Sequence, residues 1–139
     1  MSKTNNFLFF LSFITFGVGD ALTAAWMINT KGVNVEFNGL FSYIYDSYGV
    51  ICFITVKLVL VIILLFAVYI LSMCGGYWII NGWLTALIIG GIMAIISNLS
   101  STYDIFYINP YHIIACYLVL TFIFVSIGEY IDTYYTEKS

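Results

Sequence analysis

The sequence predicts an all-α membrane protein in which four transmembrane helices form a compact antiparallel bundle. Of its 139 residues, 63% are hydrophobic and 8% are charged, whereas soluble domains carry about 25% charged residues. A chain of this size cannot bury such an apolar excess in its own core. Four apolar segments also reach the roughly 20 residues that a helix needs to cross a bilayer; they are residues 7–28, 49–73, 78–97 and 111–131.

These four segments are predicted to be helices of one domain, residues 1–139, with the lipid bilayer as its first partner. Val59–Leu71 contains no polar side chain except Tyr69, and it shows none of the alternation expected of a membrane strand of about 10 residues. Every backbone polar group within hydrocarbon must be satisfied inside its own segment, which favours helix. We therefore expect a multi-pass protein of the cell (plasma) membrane.

The first segment could instead be a cleavable signal peptide. Lys3 followed by Phe7–Phe16 resembles the charged and apolar regions of such a peptide, and Thr23–Ala25 resembles a cleavage site. The apolar run continues to Ile28, however, and Asp20 interrupts it. We therefore interpret the segment as a retained helix.

The connections between segments predict a further short helix and an orientation. In residues 29–48 the apolar side chains have the spacing of one face of a short helix at the membrane interface; they are Phe37, Leu40, Phe41, Ile44 and Tyr45. Four spans put both termini on one side. Lys3 and Lys138 lie on that side against Lys31 on the other, which favours cytoplasmic termini.

Asp20 lies inside the first apolar segment, where an ionised side chain costs about 3 kcal/mol even on mild insertion scales. Asp20 precedes Asn29 by nine residues, and Lys57 follows Tyr48 by nine. In antiparallel helices both side chains would lie about 13 Å from the same membrane face, at ~1.5 Å per residue. We expect a buried ion pair. It either fixes helix register or forms a proton- or cation-coupled site, with Asp20 titrating and with Thr23 and Thr55 adding hydroxyl ligands.

A second polar group is expected at the membrane surface near the start of the fourth segment. His112 could combine there with carboxylates and amides to hold a metal or a polar headgroup, or it could simply bond to a loop backbone; the other members are Glu36, Asn38, Asp46, Asp104 and Asn109. No Cys-x-x-Cys or Cys/His spacing occurs, so neither a resident metal nor a cofactor is predicted. The chain has four lysines and no arginine, which excludes the basic surface of a nucleic-acid-binding protein.

Small residues recur every four positions in the first and third segments. Such stripes allow helix backbones to approach closely in lipid, either within the chain or against another subunit. The first stripe is Gly17, Ala21 and Ala25, and the second is Gly82, Ala86, Gly90 and Ala94, with Asn98 continuing the period.

The first two segments carry a recognisable pattern, which comprises Gly19-Asp20-x-x-Thr23, Gly32, Glu36-x-Asn38-x-Leu40 and Lys57-Leu58. It resembles a family of small prokaryotic membrane proteins of unknown function over about the first sixty residues. Where such families have Asn-Pro, this chain has Asn38-Gly39. The resemblance implies that Asp20, Glu36, Asn38 and Lys57 belong to one constellation, and it brings no activity with it.

Three functions are compatible with these features. The first is a structural or accessory subunit of a membrane assembly, homo- or hetero-oligomeric, which the small soluble mass and the packing stripes favour. The second is a small ion- or proton-coupled transporter or channel that uses Asp20 and Lys57. The third is an intramembrane enzyme acting on lipid through His112 with Asp104 or Glu36, although no complete catalytic set is present.

Overall fold

The computed structural model describes residues 3–73, 76–106 and 108–137, without the side chains of residues 3, 4 and 136. Four helices are long and apolar enough to cross a membrane. Helix α1 consists of the consecutive segments Lys3–Ser12, Phe13–Gly19 and Asp20–Lys31, and the others are α2 (Gly39–Ser72), α3 (Tyr77–Thr102) and α4 (Pro110–Thr136). No strand occurs in the described ranges. This confirms the predicted all-α membrane class.

The helix that was predicted between the first two spans is the beginning of α2. It starts at Gly39 because the Asn38 side chain caps it, with Oδ1 accepting the Leu40 N–H at 3.0 Å. Helical geometry is interrupted at Gly49, where φ is 80° and ψ is 178°. Glycine adopts such a positive φ without steric penalty. The interruption separates a short first helix from the long apolar part of α2.

The apolar face of this short helix is divided between the protein and its surroundings. Phe41, Ile44 and Tyr45 pack against a buried cluster, whereas Phe37 and Leu40 are exposed. The cluster consists of Ala24, Ala25, Met27, Ile28 and Phe53. The face that was expected to lie in the membrane interface therefore contributes mainly to the core between α1 and α2.

Helix α3 lies at the centre of the packing. It makes extensive contacts with α4 on one side and with α1 on the other, while α2 packs mainly on α1 and touches α3 little. Two glycines of α3 allow these close approaches. A Cβ on Gly82 would lie 2.3 Å from the Phe124 carbonyl oxygen, and one on Gly91 would lie 2.5 Å from the Phe16 nitrogen.

The two predicted stripes face neighbouring helices of the same chain. Gly17, Ala21 and Ala25 are buried in α1, as are Ala86 and Gly90 in α3; Gly82 and Ala94 are half-buried. Sequence reasoning missed two further close contacts, at Gly91 and at Gly128, where an added Cβ would lie 2.4 Å from the Trp78 carbonyl oxygen. Lipid provides no hydrophobic drive for association, so such backbone contacts hold the helices together.

The middle of α1 is not an α-helix. Phe13–Gly19 forms a π-helix, in which hydrogen bonds span five residues instead of four, a rare geometry often found at functional sites. The backbone N–H of Asp20 closes this segment by donating to the Thr15 carbonyl oxygen. The carboxylate of Asp20 therefore projects from the end of a widened turn in the middle of a membrane span.

Candidate functional site

Asp20 and Lys57, the predicted ion pair, are in direct contact between α1 and α2. The Lys57 Nζ donates to Asp20 Oδ2 at 2.9 Å. The two side chains are unequally covered, since 12% of the Lys57 side chain and 25% of the Asp20 side chain are exposed. The carboxylate is thus the more accessible member of the pair.

Two aromatic rings cover the Lys57 ammonium. Its Nζ lies 5.2 Å from the ring centroids of both Phe41 and Phe53, within the range of cation–π attraction. Phe41 belongs to the short first helix of α2, and Phe53 follows the break at Gly49. The change of direction at Gly49 therefore lets both rings hold the ammonium that pairs with Asp20.

A third helix contributes Asn98, which sequence reasoning did not place in the site. Its Nδ2 lies 3.1 Å from Asp20 Oδ1 and 3.1 Å from Thr23 Oγ1. The Thr23 hydroxyl donates to the Gly19 carbonyl oxygen at 2.8 Å, which leaves its oxygen to accept from Asn98. The only sequence signal for Asn98 was its position, four residues after the last member of the small-residue stripe of α3.

A cavity of about 500 Å³ lies beside this cluster and brings the constellation together. Asp20, Lys57 and Asn98 form part of its wall, and Glu36 and Asn38 form another part. Glu36 Oε1 accepts the Asn38 N–H at 3.0 Å. The four residues that the family resemblance grouped therefore line one cavity. The rest of the lining is largely apolar and includes Phe16, Phe37, Phe41, Leu60, Leu64, Ile113 and Ile114.

The cavity reaches the lipid-facing surface between α2 and α4. Leu60 of α2 and Ile114 of α4 both line it, and each is 47% exposed. These two helices share no extensive contact with each other. The site therefore combines a polar inner wall with an apolar lateral opening.

Comparison with known proteins identifies the family of this chain. Residues 11–104 match a family described as a domain of unknown function, DUF5658. The chain belongs to this family. The DUF5658 match confirms the resemblance to a family of unknown function, and it includes Asp20, Glu36, Lys57 and Asn98. No curated protein and no solved structure matches the chain significantly.

Four members of the predicted surface cluster do not line this cavity; they are Asp46, Asp104, Asn109 and His112. His112 is exposed, and its backbone N–H donates to the Asn109 carbonyl oxygen in the first turn of α4. Asp104 forms a salt bridge with Lys31, and 79% of its side chain is exposed. Within the described ranges no hydrogen bond or ion pair joins His112 to Asp104 or Glu36, and no three His, Cys, Asp or Glu residues could together hold a metal.

Proposed function

We propose that this DUF5658 protein is a small ion- or proton-coupled membrane transporter or channel whose coupling group is Asp20. The supporting observation is that the Asp20–Lys57 pair borders a cavity of about 500 Å³ instead of being sealed in helix packing. An intramembrane carboxylate is expensive, and such groups commonly mark ion pathways or proton relays.

The contacts around Asp20 would allow another cation to replace Lys57 as its counter-charge. Lys57 and Asn98 each contact one carboxylate oxygen, so Asp20 has a counter-charge and a further hydrogen-bond donor when the cavity holds no other cation. An incoming cation or proton would neutralise Asp20 in place of Lys57. The released ammonium would keep the rings of Phe41 and Phe53 as partners, which lowers the cost of the exchange.

The two other functions receive less support. The small-residue stripes, which favoured a subunit of a larger assembly, are occupied by contacts within this chain, such as Gly17 with α2 and Gly82 with α4. The lipid enzyme required His112 beside Asp104 or Glu36. The structure instead places His112 on the surface and pairs Asp104 with Lys31.

The test is ion flux in proteoliposomes that contain the purified full chain. Proton, Na⁺ and K⁺ flux would be followed with a pH-sensitive dye and ion-selective dyes. We expect Asp20→Asn to abolish flux of the coupled ion, and Asp46→Asn, which removes an exposed carboxylate outside the cavity, to retain it.

Two further results make this test decisive. If Asp20→Asn is poorly folded, the double variant Asp20→Asn/Lys57→Met removes both charges and should fold without restoring flux. Wild-type protein that moves none of the three ions, or a well-folded Asp20→Asn variant with wild-type flux, would contradict the proposal. Purification with a second protein at fixed stoichiometry would favour the accessory subunit.

A further inference from the structure

The cavity also indicates what kind of molecule it binds. We infer that its ligand is a lipophilic organic cation that enters from the bilayer between α2 and α4. This inference rests on the proposed function, because it names the substrate of the same site. It follows from three properties of the cavity: its accessible charge, its aromatic and aliphatic walls, and its lateral opening.

The accessible charge of the cavity is negative. Three ionisable side chains line it, namely Asp20, Glu36 and Lys57. Lys57 is already paired with Asp20 and lies under two rings, with 12% of its side chain exposed. Glu36 is half-buried, and no cationic side chain of the described residues pairs with it. One carboxylate is therefore uncompensated, and a cation is the ligand that would compensate it.

The walls favour an organic cation over a hydrated inorganic ion. The lining includes polar side chains, among them Ser97 and Ser101 beside the ion pair, but most of it is aromatic and aliphatic. A small inorganic ion would lose part of its hydration shell against these apolar walls. A cation with an apolar surface has little hydration to lose, and rings such as Phe16, Phe37 and Phe41 can contact it through cation–π attraction. The volume of about 500 Å³ is typical of sites for drug-sized ligands.

The route into the cavity is consistent with a ligand that partitions into lipid. Leu60 and Leu64 of α2 and Ile113 and Ile114 of α4 all line the cavity. Leu60 and Ile114 are also exposed on the outer surface. An amphiphilic cation in the bilayer can therefore reach Glu36 and Asp20 along an apolar path.

The experiment compares two probes of nearly the same size and shape but opposite charge. Binding of tetraphenylphosphonium and of tetraphenylborate to the full chain in lipid nanodiscs would be measured by calorimetry, with empty nanodiscs subtracted. We expect saturable binding of tetraphenylphosphonium only. Equal binding of both probes, or no binding of tetraphenylphosphonium above that of empty nanodiscs, would overturn the inference.

Matched variants locate the probe in the cavity. Glu36→Gln should weaken tetraphenylphosphonium binding by about tenfold, which corresponds to ~1.4 kcal/mol of lost attraction, and Asp46→Asn should not. Leu60→Trp, at the lateral opening, should slow or block binding, whereas Ile63→Trp, on an exposed part of the same helix outside the cavity, should not. Wild-type binding in both Glu36→Gln and Leu60→Trp would also overturn the inference.

The outcomes separate this inference from the proposed function. Asp20-dependent flux of protons, Na⁺ or K⁺ without any binding of tetraphenylphosphonium would leave the proposed function intact and remove the organic-cation ligand. Charge-selective binding without flux would support the organic-cation site and contradict the proposed transport function.

Discussion

At the scale of single residues, the centre of the site consists of Asp20, Lys57 and Asn98. The contact between Asp20 and Lys57 could be anticipated, because two opposite charges in otherwise apolar segments have few other partners available. Asn98 could not be anticipated in the same way. An uncharged amide in a membrane helix has no obligatory partner, and its role depends on the rotation of α3 about its axis, which the sequence leaves open.

The first prediction concerns the coupling between Asp20 and Lys57. Lys57→Met leaves the carboxylate without its cation and should lower the free energy of unfolding by about 2 kcal/mol, less than for a fully buried pair, because Asp20 is 25% exposed. The double variant Asp20→Asn/Lys57→Met should recover part of that loss. The loss and the recovery are both measured by unfolding the variants in mixed detergent micelles, with circular dichroism as the signal. Asp20→Asn is measured in the same way. If the losses of unfolding free energy in the two single variants add up to the loss in the double variant, the pair is not coupled.

The second prediction concerns Asn98. Asn98→Ala removes donors to Asp20 Oδ1 and Thr23 Oγ1, and a hydrogen bond to a charged group contributes about 1.5–3 kcal/mol. We expect a loss near the lower end of that range in the same unfolding assay. Ser97→Ala is the matched control, since Ser97 lines the same cavity and makes no hydrogen bond within the described part of the chain. Equal effects of the two substitutions would contradict the role given to Asn98.

At the scale of elements, the apolar segments were predictable and their irregularities were not. Composition and length are sufficient to find four spans. The π-helix at Phe13–Gly19 changes the hydrogen-bond pattern of α1, and the break at Gly49 interrupts α2. Nearly uniform hydrophobicity contains no periodicity that would reveal either. Both irregularities shape the site: one precedes Asp20, and the other lets Phe41 and Phe53 cover Lys57.

The third prediction tests the close approach of α3 and α4. In Gly82→Ala the new methyl group would meet the Phe124 backbone at 2.3 Å, so the helices must separate, at a cost of about 1–3 kcal/mol. Gly39→Ala is the control, because a Cβ there meets nothing within 4 Å and its φ is not positive. Thermal unfolding in detergent should show a lower midpoint for Gly82→Ala alone. Similar midpoints for the two variants would mean that α3 and α4 do not approach this closely.

The fourth prediction concerns the start of α3, which another helix caps. Gly76 precedes α3 and has no side chain to offer, and the Asp132 carboxylate of α4 accepts the N–H groups of Trp78 and Ile79 at 3.0 Å each. Asp132→Ala should cost about 1 kcal/mol of unfolding free energy, as for other helix caps. Glu137→Ala removes an exposed carboxylate at the same end of α4 and should have little effect. A similar loss in both variants would indicate a general charge effect instead of a cap.

At the scale of the whole molecule, the arrangement of the helices creates the cavity. Because α1 and α4 both pack on α3 while α2 packs on α1, α2 and α4 are left facing each other without closing together. The sequence could not predict this order. Helices surrounded by lipid need no polar outer face, so their hydrophobic pattern does not show which faces meet. The small-residue stripes indicated tight packing but not which helices make it.

The last prediction concerns orientation, which determines the side of the membrane on which the Glu36 end of the cavity lies. Lys3 and Lys138 on the side of the termini against Lys31 on the other favour cytoplasmic termini. Green fluorescent protein fused after Ser139 should therefore fluoresce, and alkaline phosphatase fused after Tyr103, following three spans, should be active.

The opposite pattern of reporter activity would reverse the assignment. It would also place the Glu36 end of the cavity on the cytoplasmic side. Glu36 and Asn38 line the cavity from the connection between α1 and α2, which lies on the side opposite the termini. With cytoplasmic termini this end of the cavity faces outward, and Glu36 lies towards the outer side of the membrane.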